Sequence, residues 1–490
     1  MVGSGAITTY RELEDSANRF AHLMRERGVN RGDHIALMLD NDPRYYEVIW
    51  GALRSGIYVT PINWHLGAEE AGYIVEDCGA SAFICSTRFA AVAEQVEARL
   101  SKVNTKLAIN GPIAGFEPYE DAIESMPTAP IDDESNGQIM FYSSGTTGRP
   151  KGIKRDLGDD PYGGPTALEM ALGILYSVTE QSQYLVPAPL YHAAPLAWST
   201  SAQRLGATVV VMEQFDAAAT LAAIEKHHVT HAQFVPTHFV RMLKLPEDER
   251  ARYDVSSLSM VVHAAAPCPI EVKRAMMAWW GPIIFEYYAG SEGNGYCSAS
   301  PEEWLAHPGT VGRPINGTVH VLGEDGEEMP VGETGQIWFN AGAIFEYHND
   351  AEKTASAFNS AGWSTLGDVG YLDADGFVYL TDRISHMIIS GGVNIYPQEV
   401  ENLLAMHPFV TDVAVIGVPD EDFGEAVKAV VQLAPGVAPN DDTAAQIISY
   451  CQAHLAKFKC PRTVDFIDEM PRLPSGKLLK RQLRQRYWQN

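Results

Sequence analysis

The sequence predicts an α/β protein. It has a large N-terminal domain of α/β layers with parallel-rich sheets, which includes a small β-rich subdomain, and a small α+β domain follows at the C-terminus. Three observations indicate this fold. The chain of 490 residues is too long for one hydrophobic core. Strand-like and helix-like segments alternate up to about residue 309. Short strands separated by glycine and aspartate turns come next.

The alternating region contains apolar runs typical of strands that are buried on both faces, which favours mainly parallel sheets. These runs are HIALML (34–39), SAFIC (81–85), TVVVM (208–212), AQFVP (232–236), MVVHA (260–264) and IIFEYYA (283–289). Helical patterns lie between them, such as AATLAAIEKHH (218–228). Thr9 and Glu12 form a candidate capping box for a helix that runs to about Arg27.

The last part of the chain has a different pattern of predicted elements. Segments such as GETGQIWFN and DGFVYLTDR predict the β-rich subdomain. After Arg383 the pattern predicts a small α+β domain. Its elements are strands at VAVIGVP (413–419) and EAVKAVVQL (425–433), a helix near 443–457 and a basic tail.

Composition excludes several classes of function. A formal net charge of −26 argues against nucleic acid or an anionic membrane as the main partner. The sequence contains no apolar run long enough to span a bilayer, so we expect no integral membrane contact. The six cysteines form no CxxC pair, and they predict buried thiols in a reducing cytoplasm rather than disulfides or a zinc site.

The stretch YSSGTTGRPKG (142–152) follows the predicted strand QIMFY (138–142) and has the composition of a phosphate-binding loop. Its glycines let backbone N–H groups approach a ligand, and Lys151 supplies a point charge. The loop does not match the GxxxxGK[ST] pattern of a Walker A loop. The predicted phosphate contacts are Ser143, Ser144, Gly145, Thr146, Thr147, Gly148 and Lys151.

SSGTTGRPKG resembles the phosphate-binding signature of the adenylate-forming superfamily, which includes acyl- and aryl-CoA synthetases, adenylation domains of peptide synthetases, and luciferases. Further segments resemble that family's motifs in the same order and cover nearly the whole chain. They are LYHAAP (190–195), HAAAP (263–267), YYAGSEG (287–293), LGDVG (366–370), TDR (381–383), SGGVNIYP (390–397) and PRLPSGKLLKR (471–481).

The resemblance implies a nucleotide site. Tyr288 would stack on adenine, Ser291 would contact the α-phosphate, and Glu292 would hold Mg²⁺ together with Thr146, since a hard cation prefers oxygen ligands. Asp368 would bind both ribose hydroxyls, and Arg383 the ribose or phosphate. The cofactor-binding set also includes Ala265, Ala266, Glu286 and Tyr287. Taken alone, the tyrosines could pack in the core, and Asp368 could be an ordinary turn aspartate.

The resemblance also implies that the chain divides into a domain of residues 1–384 and a mobile domain of residues 385–490. Lys477 would stabilise charge on the α-phosphate during adenylation, although a solvated basic tail is the simpler interpretation of its neighbours. Gly391 and Gly392 would then meet the pantetheine arm of coenzyme A. Ser385 and His386 depart from the family pattern at the pivot.

The expected acid pocket carries small and aromatic side chains. Its residues are His192, Trp198, Phe234, Ala264, Ala265 and Gly290. His192 is placed beside the acyl tunnel by resemblance, and a lone histidine is more often structural. HAAAP could equally be a tight exit from a strand. An apolar pocket suits a fatty, arylpropenoate or steroid-type acid, unless Trp198 plugs it for a short one.

The expected activity is therefore that of a carboxylic acid–CoA ligase, which uses MgATP and coenzyme A and passes through acyl-AMP. The catalytic candidates are Lys477, Glu292, Thr146 and His192. Two alternatives remain: an adenylating enzyme that loads a carrier protein or oxidises its adenylate, and a non-catalytic nucleotide-binding relative. Because no carrier domain follows Lys477, a stand-alone ligase is favoured. The chain also starts later than the family pattern, and a homodimer is an expectation at the level of the family.

Overall fold

The computed structural model describes residues 1–490 except 98–99, 101, 144–149, 160, 343, 473–477 and 489–490. The described chain divides into two compact units. The first unit comprises residues 1–233 and 344–356, and the second comprises residues 234–343 and 357–490. Among the described residues, no helix has the length and apolar character needed to cross a membrane.

The α-helices occur throughout the chain and are numbered in order. They are α1 (Tyr10–Glu26), α2 (Arg44–Arg54), α3 (Ala68–Asp77), α4 (Ala90–Glu97), α5 (Tyr119–Glu124), α6 (Ala167–Ile174), α7 (Ala193–Arg204), α8 (Ala217–His227), α9 (Pro236–Leu243), α10 (Glu247–Arg250), α11 (Ile270–Trp280), α12 (Pro301–Ala306), α13 (Ala351–Ser356), α14 (Gln398–Leu404), α15 (Asp441–His454) and α16 (Lys480–Gln485).

The strands are numbered in the same way. They are β1 (His34–Met38), β2 (Tyr58–Pro61), β3 (Ala80–Ser86), β4 (Thr105–Ile109), β5 (Glu117–Pro118), β6 (Gln138–Ile139), β7 (Tyr142–Ser143), β8 (Lys151–Lys154), β9 (Gln183–Val186), β10 (Thr208–Val211), β11 (His231–Phe234), β12 (Met260–His263), β13 (Ile284–Ala289), β14 (Tyr296–Ala299), β15 (Arg313–Asn316), β16 (Thr318–Leu322), β17 (Gly335–Asn340), β18 (Glu346–Tyr347), β19 (Asp368–Leu372), β20 (Val378–Arg383), β21 (Ile388–Ser390), β22 (Val393–Ile395), β23 (Val410–Asp420), β24 (Gly424–Leu433) and β25 (Thr463–Phe466).

The first unit is built on parallel strands. One sheet has the order β5-β4-β3-β1-β2-β6, and its pairings are parallel. Every residue of β1 is buried, as expected for a strand covered on both faces. The strands β10, β9 and β11 also pair in parallel. A small sheet of order β18-β8-β7 lies at the base of the predicted phosphate loop.

The second unit combines parallel and antiparallel pairing. β12 and β13 are parallel, and β14 and β15 continue antiparallel from β13. A four-stranded sheet of order β16-β17-β19-β20 forms the β-rich part. In the C-terminal part, β22-β21-β24-β23 carries β25 on β24, and α14 and α15 pack with it.

The expected α/β fold is confirmed, and two local details differ from the expectation. Thr9 and Glu12 do form the capping box of α1. The strand predicted at AQFVP stops at Phe234, because Pro236 starts α9, and proline suits the first helical position. The single strand predicted at QIMFY is two short strands, β6 and β7, which join different sheets.

Candidate functional site

Three of the predicted nucleotide-binding residues meet at one carboxylate, and we call Tyr288, Asp368 and Arg383 the nucleotide cluster. Asp368 starts β19 and Arg383 ends β20, and the two residues are partners in the antiparallel register. The Tyr288 hydroxyl donates to Asp368 Oδ2 over 2.6 Å, and Arg383 Nε lies 2.9 Å from Asp368 Oδ1. Asp368 thus binds one neutral donor and one charged donor.

The charges within this cluster stabilise each other. Asp368 raises the pKa of the Arg383 guanidinium, with smaller contributions from Tyr288 and Glu292. Burial, followed by the neighbouring Asp368 carboxylate, raises the pKa of the Tyr288 phenol far above its ordinary value. The phenol therefore stays protonated and acts as a hydrogen-bond donor.

Glu292 helps raise the pKa of Arg383 in the nucleotide cluster, and the absence of a side chain at Gly290 leaves room for the Glu292 carboxylate. A Cβ at position 290 would lie 2.5 Å from Leu366 Cδ2 and 2.7 Å from Glu292 Oε2. Glu292 is partly buried and Ser291 is exposed. A partly buried carboxylate next to an arginine-bound aspartate is a donor set that fits Mg²⁺, which prefers oxygen ligands. The second predicted ligand, Thr146, lies outside the described residues.

The HAAAP segment leaves β12 through an unusual backbone conformation. Ala265 has φ of 73°, in the left-handed region that a residue with a Cβ rarely adopts. Ala264 is buried, whereas Ala265 is exposed. Such outliers persist only where the surroundings impose them, and they concentrate at ligand sites. The conformation of Ala265 therefore marks this segment as a candidate ligand contact.

A second group of ionisable residues lies directly behind these segments, and we call Lys273, Glu286 and His263 the buried charge cluster. Lys273 Nζ donates to Glu286 Oε2 over 2.9 Å, and His263 Nε2 lies 3.2 Å from the same oxygen. The side chains of Lys273 and His263 are 0% exposed. Burial alone would raise the pKa of Glu286, but Lys273 and His263 lower it to about 2.

The phosphate loop is described only at its two ends. Ser143 on β7 pairs with Lys151 on β8, and Lys151 forms an ion pair with Asp350. The Tyr142 hydroxyl donates to Asp77 Oδ2 over 2.7 Å. The loop's predicted contacts Ser144, Gly145, Thr146, Thr147 and Gly148 lie outside the described residues.

The predicted acid-pocket residues divide between the two units. His192 precedes the first residue of α7, and Trp198 is 2% exposed with its ring 5.0 Å from that of Tyr176. Phe234, in the second unit, packs in an aromatic group with Phe239 and Trp280. Ala264, Ala265 and Gly290 also belong to the second unit.

The predicted pivot is bridged by a buried aspartate. Asp382 Oδ1 lies 3.2 Å from His386 Nδ1, and Asp382 Oδ2 accepts from the Gln398 N–H over 3.2 Å. Ser385 lies in a short 3₁₀ helix, Ile384–His386.

Both glycines of the predicted coenzyme A segment have positive φ, and the Gly391 N–H donates to Phe423 O over 2.8 Å. A left-handed backbone explains why glycine occupies both positions. Lys477 lies outside the described residues.

Sequence reasoning missed four residues: Lys273, His263, Asp350 and Asp382. His263 and Asp382 lie inside the motifs HAAAP and TDR, which pointed to other residues. The partners of Lys273 and Asp350 lie on other elements, so these two residues had no local signal. A charged residue within a helical pattern, such as Lys273 in EVKRAMM, is normally expected to be exposed to solvent.

Known proteins resemble the chain over nearly its whole length. The model of the AMP-binding enzyme family matches residues 1–346, and that of the AMP-binding enzyme C-terminal domain matches residues 399–477. The long-chain-fatty-acid–CoA ligase FadD13 of Mycobacterium tuberculosis is 31% identical, over 98% of this chain and 93% of that protein. A feruloyl-CoA synthase of Amycolatopsis is 33% identical, over 99% of this chain and 94% of that protein.

A solved structure shows the same architecture. The crystal structure of ATP-bound MatB from Rhodopseudomonas palustris superposes with a TM-score of 0.84 at 27% identity, and the match covers 99% of this chain and 94% of that one. The family models, the relatives and the fold agree with the motifs. The chain therefore belongs to the adenylate-forming superfamily of AMP-binding enzymes, as an acyl-CoA synthetase that uses ATP, Mg²⁺ and coenzyme A.

Proposed function

We propose that this acid–thiol ligase activates a carboxylic acid with an apolar tail, of the fatty, aryl or steroid type. The acid's carboxylate attacks the α-phosphate of ATP, which gives acyl-AMP and pyrophosphate. The thiolate of coenzyme A then displaces AMP and forms the thioester. The observation that carries the proposal is the nucleotide cluster, which brings three motifs distant in sequence to one carboxylate.

The nucleotide cluster accounts for ribose and base recognition. Arg383 is 37% exposed on its side chain and can turn towards a ligand, which frees Asp368 Oδ1, with its two lone pairs, to accept both ribose hydroxyls. The Tyr288 hydroxyl holds the other oxygen and fixes the plane of the carboxylate. Tyr288 itself is the proposed stacking partner of adenine, and Ser291 of the α-phosphate.

Phosphate chemistry is assigned to Glu292, the phosphate loop and Lys477. When bound by Glu292 and Thr146, Mg²⁺ neutralises negative charge on the phosphates. Ser143, Lys151 and the loop between them would hold the β- and γ-phosphates. The ion pair of Lys151 with Asp350 keeps this cation at the start of β8, directly after the loop. Lys477 would stabilise the charge that develops on the α-phosphate.

An apolar acid fits the electrostatics around Ala264. The buried cation Lys273 is already bound by Glu286, and it therefore offers no strong attraction to a second carboxylate in the tail of the substrate. Phe234 and its aromatic neighbours supply apolar surface on the same unit. The two relatives named above are named for a long-chain fatty acid and for ferulate, an aromatic acid.

Further parts of the proposal concern organisation and location. Residues 385–490 would rotate about Ser385 between the two half-reactions, so that Gly391 and Gly392 replace Lys477 at the site. We also propose a homodimer in the cytoplasm. Free cysteines support the reducing compartment: all six are unpaired, and five of them are buried.

The test uses purified protein, MgATP and a panel of fatty, aryl and steroid-type acids, with and without coenzyme A. Chromatography follows AMP, ADP and thioester. We expect AMP that depends on the acid, and thioester only when coenzyme A is present. Acyl-AMP that coenzyme A cannot discharge would indicate an enzyme that loads a carrier protein. Formation of ADP would refute adenylation.

A Lys477→Ala variant separates catalysis from nucleotide binding. The variant is expected to lose acyl-AMP formation while it retains ATP binding, because the lysine would act on the transition state. Arg486→Ala, which removes a nearby tail cation, is the matched control and should retain activity. Equal losses in both variants would show that only the basic tail matters.

A further inference from the structure

The buried charge cluster occupies a special place in the fold. His263 is the last residue of β12, and Glu286 lies opposite it in the parallel register of β13. Directly after them in the chain come two segments of the proposed site: residues 264–266, which leave β12, and residues 287–290, which continue β13 to Ala289. The cluster therefore lies one residue behind both segments, at the point where their separation is set.

Lys273 connects this point to two helices. It lies near the start of α11, the helix that joins β12 to β13. Its Nζ is 2.9 Å from Glu286 Oε2 and 4.6 Å from the centre of the Trp304 ring on α12. A fully buried ammonium retains its charge only with such partners, so its position is fixed by both of them.

Ionised groups in a site of low dielectric constant resist displacement. Glu286 is held ionised by Lys273 and His263, and Cys268 is the further titratable group that faces Glu286 and Lys273. Moving Lys273 and Glu286 apart would leave a buried charge without its partner. Separating this ion pair is therefore costly.

We propose that Lys273, Glu286 and His263 are positioning residues of the adenylation site, which hold Ala264–Ala266 at a fixed distance from Tyr287–Gly290 without touching the ligands. The inference rests on the proposed function, because these segments are the proposed walls of the adenine and acid pocket. Ala265, with its left-handed φ of 73°, lies two residues after His263 in the first of these segments. Glu286 would therefore affect ligand binding indirectly, through the segments next to it.

The first variant is Glu286→Asp, which keeps both charges and retracts the carboxylate by one methylene. It should fold, and we expect the KM values for the acid and for ATP in adenylation to rise about tenfold, since small misplacements of binding groups have large effects on rate. Lys273→Met removes the cation, and we expect its adenylation kcat/KM to fall about 100-fold.

Arg54→Met is the matched control. Arg54 is also a buried cation paired with a carboxylate, 2.7 Å from Glu14, but it lies between α1 and α2 and carries no proposed site residue. The control should lose stability and keep its KM values within about twofold after correction for the folded fraction. If Glu286→Asp and Lys273→Met behave like this control, the cluster is merely structural and the inference is wrong.

The double variant Lys273→Met/Glu286→Gln is a control for the case that Lys273→Met folds poorly. Neutral replacement of a whole buried ion pair is often tolerated. We expect a recovered melting temperature with KM values that stay raised. Recovery of both would overturn the inference. Hydrogen exchange at 264–266 and 287–290 should be faster in the folded variants. Acid-dependent AMP formation by the parent protein tests the proposed function separately, so the two failures are distinguishable.

Discussion

Two carboxylates of the second unit, Asp368 and Glu286, have similar partners and different surroundings. Each one has polar atoms of two other side chains within 3.2 Å. Arg383, the cation on Asp368, is 37% exposed on its side chain, whereas Lys273, the cation on Glu286, is 0% exposed. A partner that reaches solvent can exchange for a ligand group, and a fully buried one cannot.

This difference in the exposure of the paired cation implies different roles for the two carboxylates. Asp368 can release Arg383 and bind a ligand hydroxyl, so its loss should mainly affect binding. Glu286 cannot release Lys273 without leaving a buried charge, so its loss should mainly affect stability and the placement of neighbouring backbone. Variants at the two positions can therefore test whether Asp368 acts mainly in binding and Glu286 mainly in stability.

The largest effect is expected for Asp368→Ala. Two hydrogen bonds between the ribose and a charged acceptor are lost, at about 1.5–3 kcal/mol each, so kcat/KM for ATP should fall at least about 100-fold. Steady-state pyrophosphate exchange measures this. Asp375→Ala is the control, because this carboxylate is 72% exposed and lies outside the proposed site. A loss below about tenfold would mean that Asp368 does not bind ATP.

Glu286→Gln is expected to have the next largest effect, and it acts on stability. The substitution leaves Lys273 buried without a counter-charge, which should lower the free energy of unfolding by about 3–5 kcal/mol. Urea unfolding followed by circular dichroism measures the loss. Asp368→Ala provides the comparison, and it should lose less because Arg383 can reach solvent. Equal losses would break the comparison between the two carboxylates.

Lowering the pH should remove the stabilisation that the ionised Glu286 carboxylate gives to the folded protein. Its pKa is about 2 when folded and 4.5 in its ordinary state, because Lys273 and His263 outweigh the opposing effect of burial. Between these two values the unfolded chain binds one more proton, so the stabilisation is complete above pH 4.5 and declines as the pH falls towards 2. The stability gap between the parent and Glu286→Gln should shrink by about 1.4 kcal/mol per pH unit in that window. A gap that stays constant down to the lowest pH at which both proteins fold would contradict the assignment.

The fold was predictable where one element carries its own signal. The capping box of Thr9 and Glu12 and the buried strand β1 depend on short-range patterns, and both appear as expected. The end of β11 was harder to predict, because apolar β-forming residues lead directly into Pro236, which starts a helix. Similarly, β6 and β7 are contiguous in pattern and differ only in their pairing partners.

The site residues that lie in recognised motifs could be predicted from the sequence. Those whose role depends on tertiary packing could not. Tyr288, Asp368 and Arg383 come from three motifs, and the structure brings them together. Lys273 gave no such signal, because a lysine on a helix is normally solvated, and its contacts with Glu286 and Trp304 come from other elements of the fold. Buried charge arises from tertiary contacts, which a local pattern does not contain.

The smallest effect is expected for Tyr288→Phe, which tests how far Asp368 depends on its neutral donor. The ring is retained, so stacking on adenine should persist, and Arg383 still orients the carboxylate through Oδ1. Only the 2.6 Å hydrogen bond to Oδ2 is lost. A net loss of about 1 kcal/mol should raise KM for ATP about fivefold and leave kcat unchanged. Tyr371→Phe on β19 is the control, because its ring stacks on Tyr379, away from the nucleotide cluster. A decrease in kcat for Tyr288→Phe would show that the phenol acts in the transition state, and Asp368 would then depend on both of its partners, as Glu286 does.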